Sequence, residues 1–176
     1  MSNKDRLYIC LYARGGQPKM RDLEDTYHWA LMVGPKIEKP EKEGVRYHAK
    51  EKVGSDGVHW EFEKRSVSLR PTSMLLVRVL IGKVDDSARL DAILRQTPVR
   101  DGLDGWNCVA WLKEALELVS KDKKAVGTSV LVWNTVRKTA MDYCNQKKAD
   151  GRFSSARYNP EKVPTYDLLE HKETTS

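Results

Sequence analysis

A chain of 176 residues, 40% hydrophobic and 32% charged, holds enough apolar surface to form one compact core without cross-links, which excludes a multidomain machine and a disordered polymer. The net charge of +6 is too modest to define a nucleic-acid binder by itself. No apolar run approaches the roughly 20 residues that cross a bilayer, and residues 1–6 lead into a strand-like segment without the apolar stretch of a secretory signal. A cytoplasmic protein that does not associate with membranes is therefore expected.

The first half reads as strands. Residues 6–13 are aromatic, β-branched and apolar, and end at Gly15-Gly16, as a buried strand ends at a turn. Residues 28–33, from His28 to Val33, form a second apolar run closed by Gly34-Pro35. A charged loop leads to a third strand over 45–50. Asp56-Gly57 then opens a fourth over 58–63, where Val58, Trp60 and Phe62 alternate with His59, Glu61 and Glu63. Residues 74–82 form a fifth strand.

From there the apolar period becomes helical. Asp85-Asp86-Ser87 caps a short helix in which Leu90, Ile93 and Leu94 share a face, and Pro98 marks its end. After the turn Asp101-Gly102-Leu103-Asp104-Gly105, Val109, Leu112, Leu116 and Val119 recur at helical spacing through Ser120. A third helix is expected from about Ser129 to Lys148, with Val132, Val136, Ala140 and Tyr143 inward. The tail from Gly151 reads as irregular. Strands followed by helices predict an α+β single domain over 1–176: strand-rich over 5–83, helix-rich over 85–148, an antiparallel sheet of about five strands with about three helices packed on it.

The three cysteines, Cys10, Cys108 and Cys144, lack both the number for a disulfide framework and the spacing for zinc, so no metal and no cofactor is expected. Cys108 follows Asn107, a good N-cap, at the start of an amphipathic helix. There free N–H groups and the positive helix end favour a thiolate, although a small core residue is the common fate of a cytosolic cysteine. A thiolate nucleophile needs a base, and His28, at the start of an uncharged strand, is the best placed. His48, on the next strand, is positioned to hold its tautomer; a solvated strand face is the competing account. His59 and His171 are assigned no part.

These residues carry a resemblance. His28-Trp29-Ala30-Leu31-Met32-Val33-Gly34, a second histidine about twenty residues on, and Asn107-Cys108 opening a helix resemble the lecithin:retinol acyltransferase family, the circularly permuted branch of the NlpC-type papain-like fold. The likeness spans roughly residues 28–112. It implies Cys108 as an acyl-thioester nucleophile, His28 as its base and His48 as the orienting partner. The sequence departs from that family at Val109-Ala110-Trp111, where the family has an acidic residue, a histidine and an aromatic, and in the longer gap between the histidines. The departures bear on substrate class.

The chain as a whole, with its ending Val163-Pro164-Thr165-Tyr166-Asp167-Leu168-Leu169-Glu170, also resembles a group of short fungal proteins that includes arginine-containing cyclodipeptide synthases. That implies aminoacyl-tRNA as donor and a small amine or amino acid as acceptor. Residues 137–157 carry Arg137, Lys138, Lys147, Lys148, Arg152 and Arg157 against Asp142 and Asp150, interleaved with Tyr143, Phe153 and Tyr158, a composition suited to phosphates and unpaired bases. A solvated helix face is the plainer account of the same charges. Asp104, Glu61 and Glu63 are the candidate carboxylates for a guanidinium. The expected function is acyl or aminoacyl transfer through a Cys108 thioester. A cysteine amidase or peptidase, with water resolving the thioester, and a non-catalytic interaction domain are the alternatives.

Overall fold

The computed structural model describes residues 3–39 and 41–176. In chain order the elements are β1 (Arg6–Ala13), β2 (Tyr27–Gly34), β3 (Glu43–Gly54), β4 (Gly57–Ser68), β5 (Leu75–Val84), α1 (Ser87–Gln96), α2 (Cys108–Asp122), β6 (Val126–Ser129), α3 (Trp133–Ala149), β7 (Thr165–Asp167) and β8 (Lys172–Thr175). The strands form one open sheet in the order β4-β3-β2-β1-β5-β7-β8, with β6 pairing β5 off that path.

Strand alternation sorts the side chains onto two faces. Leu7, Ile9 and Leu11 of β1, Tyr27, Trp29 and Leu31 of β2, and Val77, Val79 and Ile81 of β5 meet Leu112, Leu116, Val136 and Ala140 of the helices in the main core. Tyr8, Cys10 and Met32 point the other way and pack with Leu69, Leu75, Leu80 and Val163. Because loops cover this second face, β1 is buried on both sides, which is why it reads as an unbroken apolar run. Each of the first two helices starts on a side-chain cap: Asp86 accepts from the Arg89 N–H at 2.9 Å, and Asn107 Oδ1 from those of Val109 at 2.9 Å and Ala110 at 3.3 Å.

The α+β layout agrees with the sequence expectation, but the sheet is larger than five strands. Residue 129, expected to begin the third helix, lies in β6; α3 begins at Trp133, and Val132, expected inward, is 66% exposed. The tail is not irregular throughout. It supplies β7 and β8, and β7 lies parallel to β5, so the sheet is not wholly antiparallel. These three- and four-residue strands are too short to show a period. They exist because β5 offers an edge: the Leu168 N–H donates to the Leu80 carbonyl at 3.0 Å, and Arg78 Nε to Thr165 Oγ1 at 3.2 Å. Among the described residues no helix is long and apolar enough to cross a membrane.

Candidate active site

Strands β2 and β3 pair over only three residues, from Leu31 opposite Tyr47 to Val33 opposite Val45. Extended by two, the register would set Trp29 against Ala49, but there the ladder has opened. The N-terminus of α2 fills that end. Its first residue, Cys108, is 0% exposed in the main core, and its sulfur accepts a hydrogen bond from the released Trp29 backbone N–H. The thiol thus reaches the strand one residue beyond His28.

The His28 side chain leaves β2 toward the opposite face, beside Tyr12, with ring centroids 6.2 Å apart. Its Nε2 lies 2.6 Å from Nδ1 of His48, and Nε2 of His48 lies 2.8 Å from Oε2 of Glu63. Glu63 is the cross-strand partner of His48 and also accepts from Arg46 at 3.0 Å and Lys50 at 3.0 Å. Desolvation works to raise the Glu63 carboxyl, but hydrogen bonds from His48, Lys50 and Arg46 hold it down at about 2. Burial lowers both histidines, and for His28 the neighbouring His48, Arg46 and Arg14 act in the same direction. The pair is therefore neutral at pH 7.

These charge states fix the tautomers. An ionised carboxylate only accepts, so His48 donates from Nε2–H and keeps its lone pair on Nδ1. His28 must then donate from Nε2–H, which leaves the basic lone pair on its Nδ1. The structure thus brings together His28, His48 and Glu63 in a relay whose free end is Nδ1 of His28. Among the described residues no hydrogen bond joins Cys108 to either histidine. The expectation of a resting thiolate is corrected: burial pushes the Cys108 thiol up, outweighing the Trp29 N–H, Arg14 and the first helical turn.

Beside Asn107 opens a cavity of about 510 Å³, walled by Arg14, Glu51, Trp60, Asp104 and Trp106 among others. Met20 also lines it, its Sδ accepting from the Asn107 amide at 3.5 Å. Of the three carboxylates expected to clamp a guanidinium, Asp104 lines this cavity. Glu63 does not serve that role, since its oxygens are taken by the relay, and Glu61 pairs with Lys52 at 3.5 Å on the surface. Sequence reasoning offered Glu63 as one of three clamp candidates, beside the plainer account of a turn or surface acid, and missed its place beside His48 as well as Arg14, Trp60 and Met20. The alternation that put Glu63 on a polar face was a usable signal, because its register opposite His48 follows from a two-residue turn at Ser55-Asp56.

The basic segment is largely spent on structure. Lys147 is buried, paired with Glu173 and set over the Tyr143 ring. Arg152 donates to the carbonyls of Arg157 at 3.4 Å and Lys162 at 2.9 Å, and Arg157 to that of Asp150 at 2.7 Å. Arg137 lies 3.7 Å from Glu24, and Lys138 pairs with Asp142 along α3. Of the expected phosphate-binding residues, Lys147 is thus committed to the tail, while Lys138, Lys148 and Arg157 remain exposed.

Comparison with known proteins adds a family and no function. No curated protein and no solved structure matches the chain. A family model does match, over residues 4–175, and the chain belongs to that family, DUF6914, a family of unknown function.

Proposed function

We propose that the protein is an acyl-transferring enzyme that works through a thioester on Cys108, on a permuted papain-like domain. The observation that carries this reading is the relay Glu63-His48-His28, which ends in a basic Nδ1 on the residue preceding the one whose backbone holds the Cys108 sulfur. A neutral thiol and a neutral, oriented imidazole are the resting protonation states common to such nucleophile and base pairs; here the two side chains lie on opposite faces of the sheet.

In the first step the Cys108 S–H proton passes to Nδ1 of His28, and the sulfur attacks the donor's ester carbonyl. The helix-terminal N–H of Cys108 stabilises the oxyanion. The alcohol leaves with the proton held by His28. In the second step an amine attacks the thioester, His28 takes its proton, and the thiol leaves protonated. The donor assigned is aminoacyl-tRNA: when the attacking amine belongs to a second aminoacyl-tRNA the first product is a dipeptidyl-tRNA, and its free α-amine then attacks the remaining ester carbonyl, which closes the cyclodipeptide and releases the tRNA hydroxyl. Asp104, without a side-chain partner among the described residues and on the wall that carries Trp60 and Trp106, suits a guanidinium-bearing acyl group. For the thiol to meet Nδ1, which lies on the other face of the sheet, the opened end of the β2/β3 ladder must shift.

The full burial of Cys108 favours a second reading, a non-catalytic interaction domain in which the thiol is core. Incubation with a mixed aminoacyl-tRNA pool, followed by intact-mass and metabolite mass spectrometry, separates them. An aminoacyl adduct lost in Cys108→Ala, with a diketopiperazine released, is the expected result. An adduct with only free amino acid released means that water resolves it, as in an amidase. No adduct and no product would sink the enzyme reading.

A further inference from the structure

On the face of the sheet opposite the helices, β3 and β4 carry facing side chains in register. Two successive pairs are complementary: Lys50 faces Glu61 and His48 faces Glu63. The next is not. Arg46 stands directly opposite Arg65, and like charges at such positions repel. Arg46 shares Glu63 with His48 and Lys50, and Arg65 has no ion pair among the described residues. Arg46 and Lys50 therefore share one carboxylate, and Arg65 adds a third cation with none of its own among the described residues.

The two arginines border a cavity of about 370 Å³, with Tyr12, Thr72, Met74 and Leu75 on its other walls and no acidic residue among those lining it. The Arg46 guanidinium lies 5.4 Å from the Tyr12 ring centroid, which fixes its plane. We propose that this cavity binds the phosphate group of a nucleotide, free or within a nucleic acid, between Arg46 and Arg65. Two guanidiniums offer paired N–H donors that match phosphate oxygens bidentately. A terminal monophosphate dianion offsets the surplus of two positive charges, whereas a backbone phosphodiester, like a carboxylate, offsets half of it and gains instead from the bidentate geometry. Met74, 53% exposed, and Leu75 give the rest of the ligand an apolar surface. The site stands independently of the Cys108 chemistry, and its position beside Tyr12 sets the bound group next to His28.

Titrations at low salt with inorganic phosphate, AMP and unfractionated tRNA test this, in the wild type, Arg65→Ala, Arg65→Lys and, as a control on α3, Lys148→Ala. Phosphate and AMP should bind the wild type, AMP more tightly. Arg65→Ala should weaken binding at least tenfold, Arg65→Lys should recover part of it, and Lys148→Ala should bind as wild type. Because Arg65 is exposed and repelled by Arg46, Arg65→Ala should melt no lower than wild type, so lost binding is not lost folding. If tRNA binding depends on Arg65 while AMP binds no better than phosphate, the source is a nucleic-acid backbone. If none of the three binds, or Arg65→Ala binds all three as wild type does, the proposal is overturned.

Discussion

Replacing Glu63 with glutamine removes one charge and leaves shape nearly intact, so it isolates what the carboxylate does. Glu63 accepts from His48 at 2.8 Å, Arg46 at 3.0 Å and Lys50 at 3.0 Å. Hydrogen bonds to charged groups contribute about 1.5–3 kcal/mol each when buried. Lys50 is substantially exposed and its bond contributes little, and a glutamine retains part of the rest, so a loss of about 2–3 kcal/mol follows. At about 2–4 °C per kcal/mol for a domain of this size, Tm falls by about 4–12 °C. The larger effect is on the proton. A carboxamide can donate as well as accept, so it no longer compels His48 to donate from Nε2, and the lone pair on Nδ1 of His28 is no longer assured. With the base in the wrong tautomer, kcat/KM should fall by ~10²–10⁴-fold. Long-range ¹H–¹⁵N correlation of the imidazole rings reads the tautomers without needing activity. In the wild type His48 should be protonated at Nε2, and His28 at Nε2 and bare at Nδ1. A wild-type spectrum with His28 protonated at Nδ1, or tautomers unchanged in Glu63→Gln, would refute the relay.

Acid should destabilise the fold from about pH 6.5 downward: unfolded histidines take up protons near that pH, whereas buried His28 and His48 resist them. The unfolded state then binds more protons, so stability rises with pH by up to about 1.4 kcal/mol per unit for each histidine. Glu63, held at about 2, adds a loss of the same sign only as pH falls from its unfolded value toward 2. Urea denaturation at pH 7.5 and 5.5, with His28→Gln showing the smaller drop, checks this. Iodoacetamide should label native Cys108 slowly, because the thiol is buried and raised; rapid labelling at pH 7 would show that the site opens readily. Cys108→Ala should stay folded at a cost of about 1–2 kcal/mol while abolishing turnover, and Cys10→Ala and Cys144→Ala should leave turnover near normal. Asn107→Ala should cost about 1 kcal/mol by removing the α2 cap, read as a lower Tm and faster Cys108 labelling. On the basic segment, Lys147→Glu should be strongly destabilising, since it buries a carboxylate against Glu173, whereas Lys148→Glu should leave Tm unchanged.

What the sequence determined by itself was whatever depends on neighbours in the chain. The apolar run of β1, the alternation in β4, the capping of α1 within Asp85-Asp86-Ser87 and of α2 by Asn107, and the heptad-like spacing of Val109, Leu112 and Leu116 are local facts with local causes. They were enough to place β1 to β5 and the first two helices, to set Cys108 at a helix start and to single out His28 and His48. Tertiary structure decided what depends on which elements meet. Whether Cys108 is a thiolate turns on competition between a helix end and burial, and burial is a property of the packed core. Whether Glu63 holds a substrate or a histidine turns on the register of β4 against β3. Whether Lys147, Arg152 and Arg157 face solvent or the protein turns on where the tail runs. The strands β7 and β8 are three and four residues long; they form because β5 presents an unpaired edge, and a strand partner distant in sequence leaves no periodic trace in either segment.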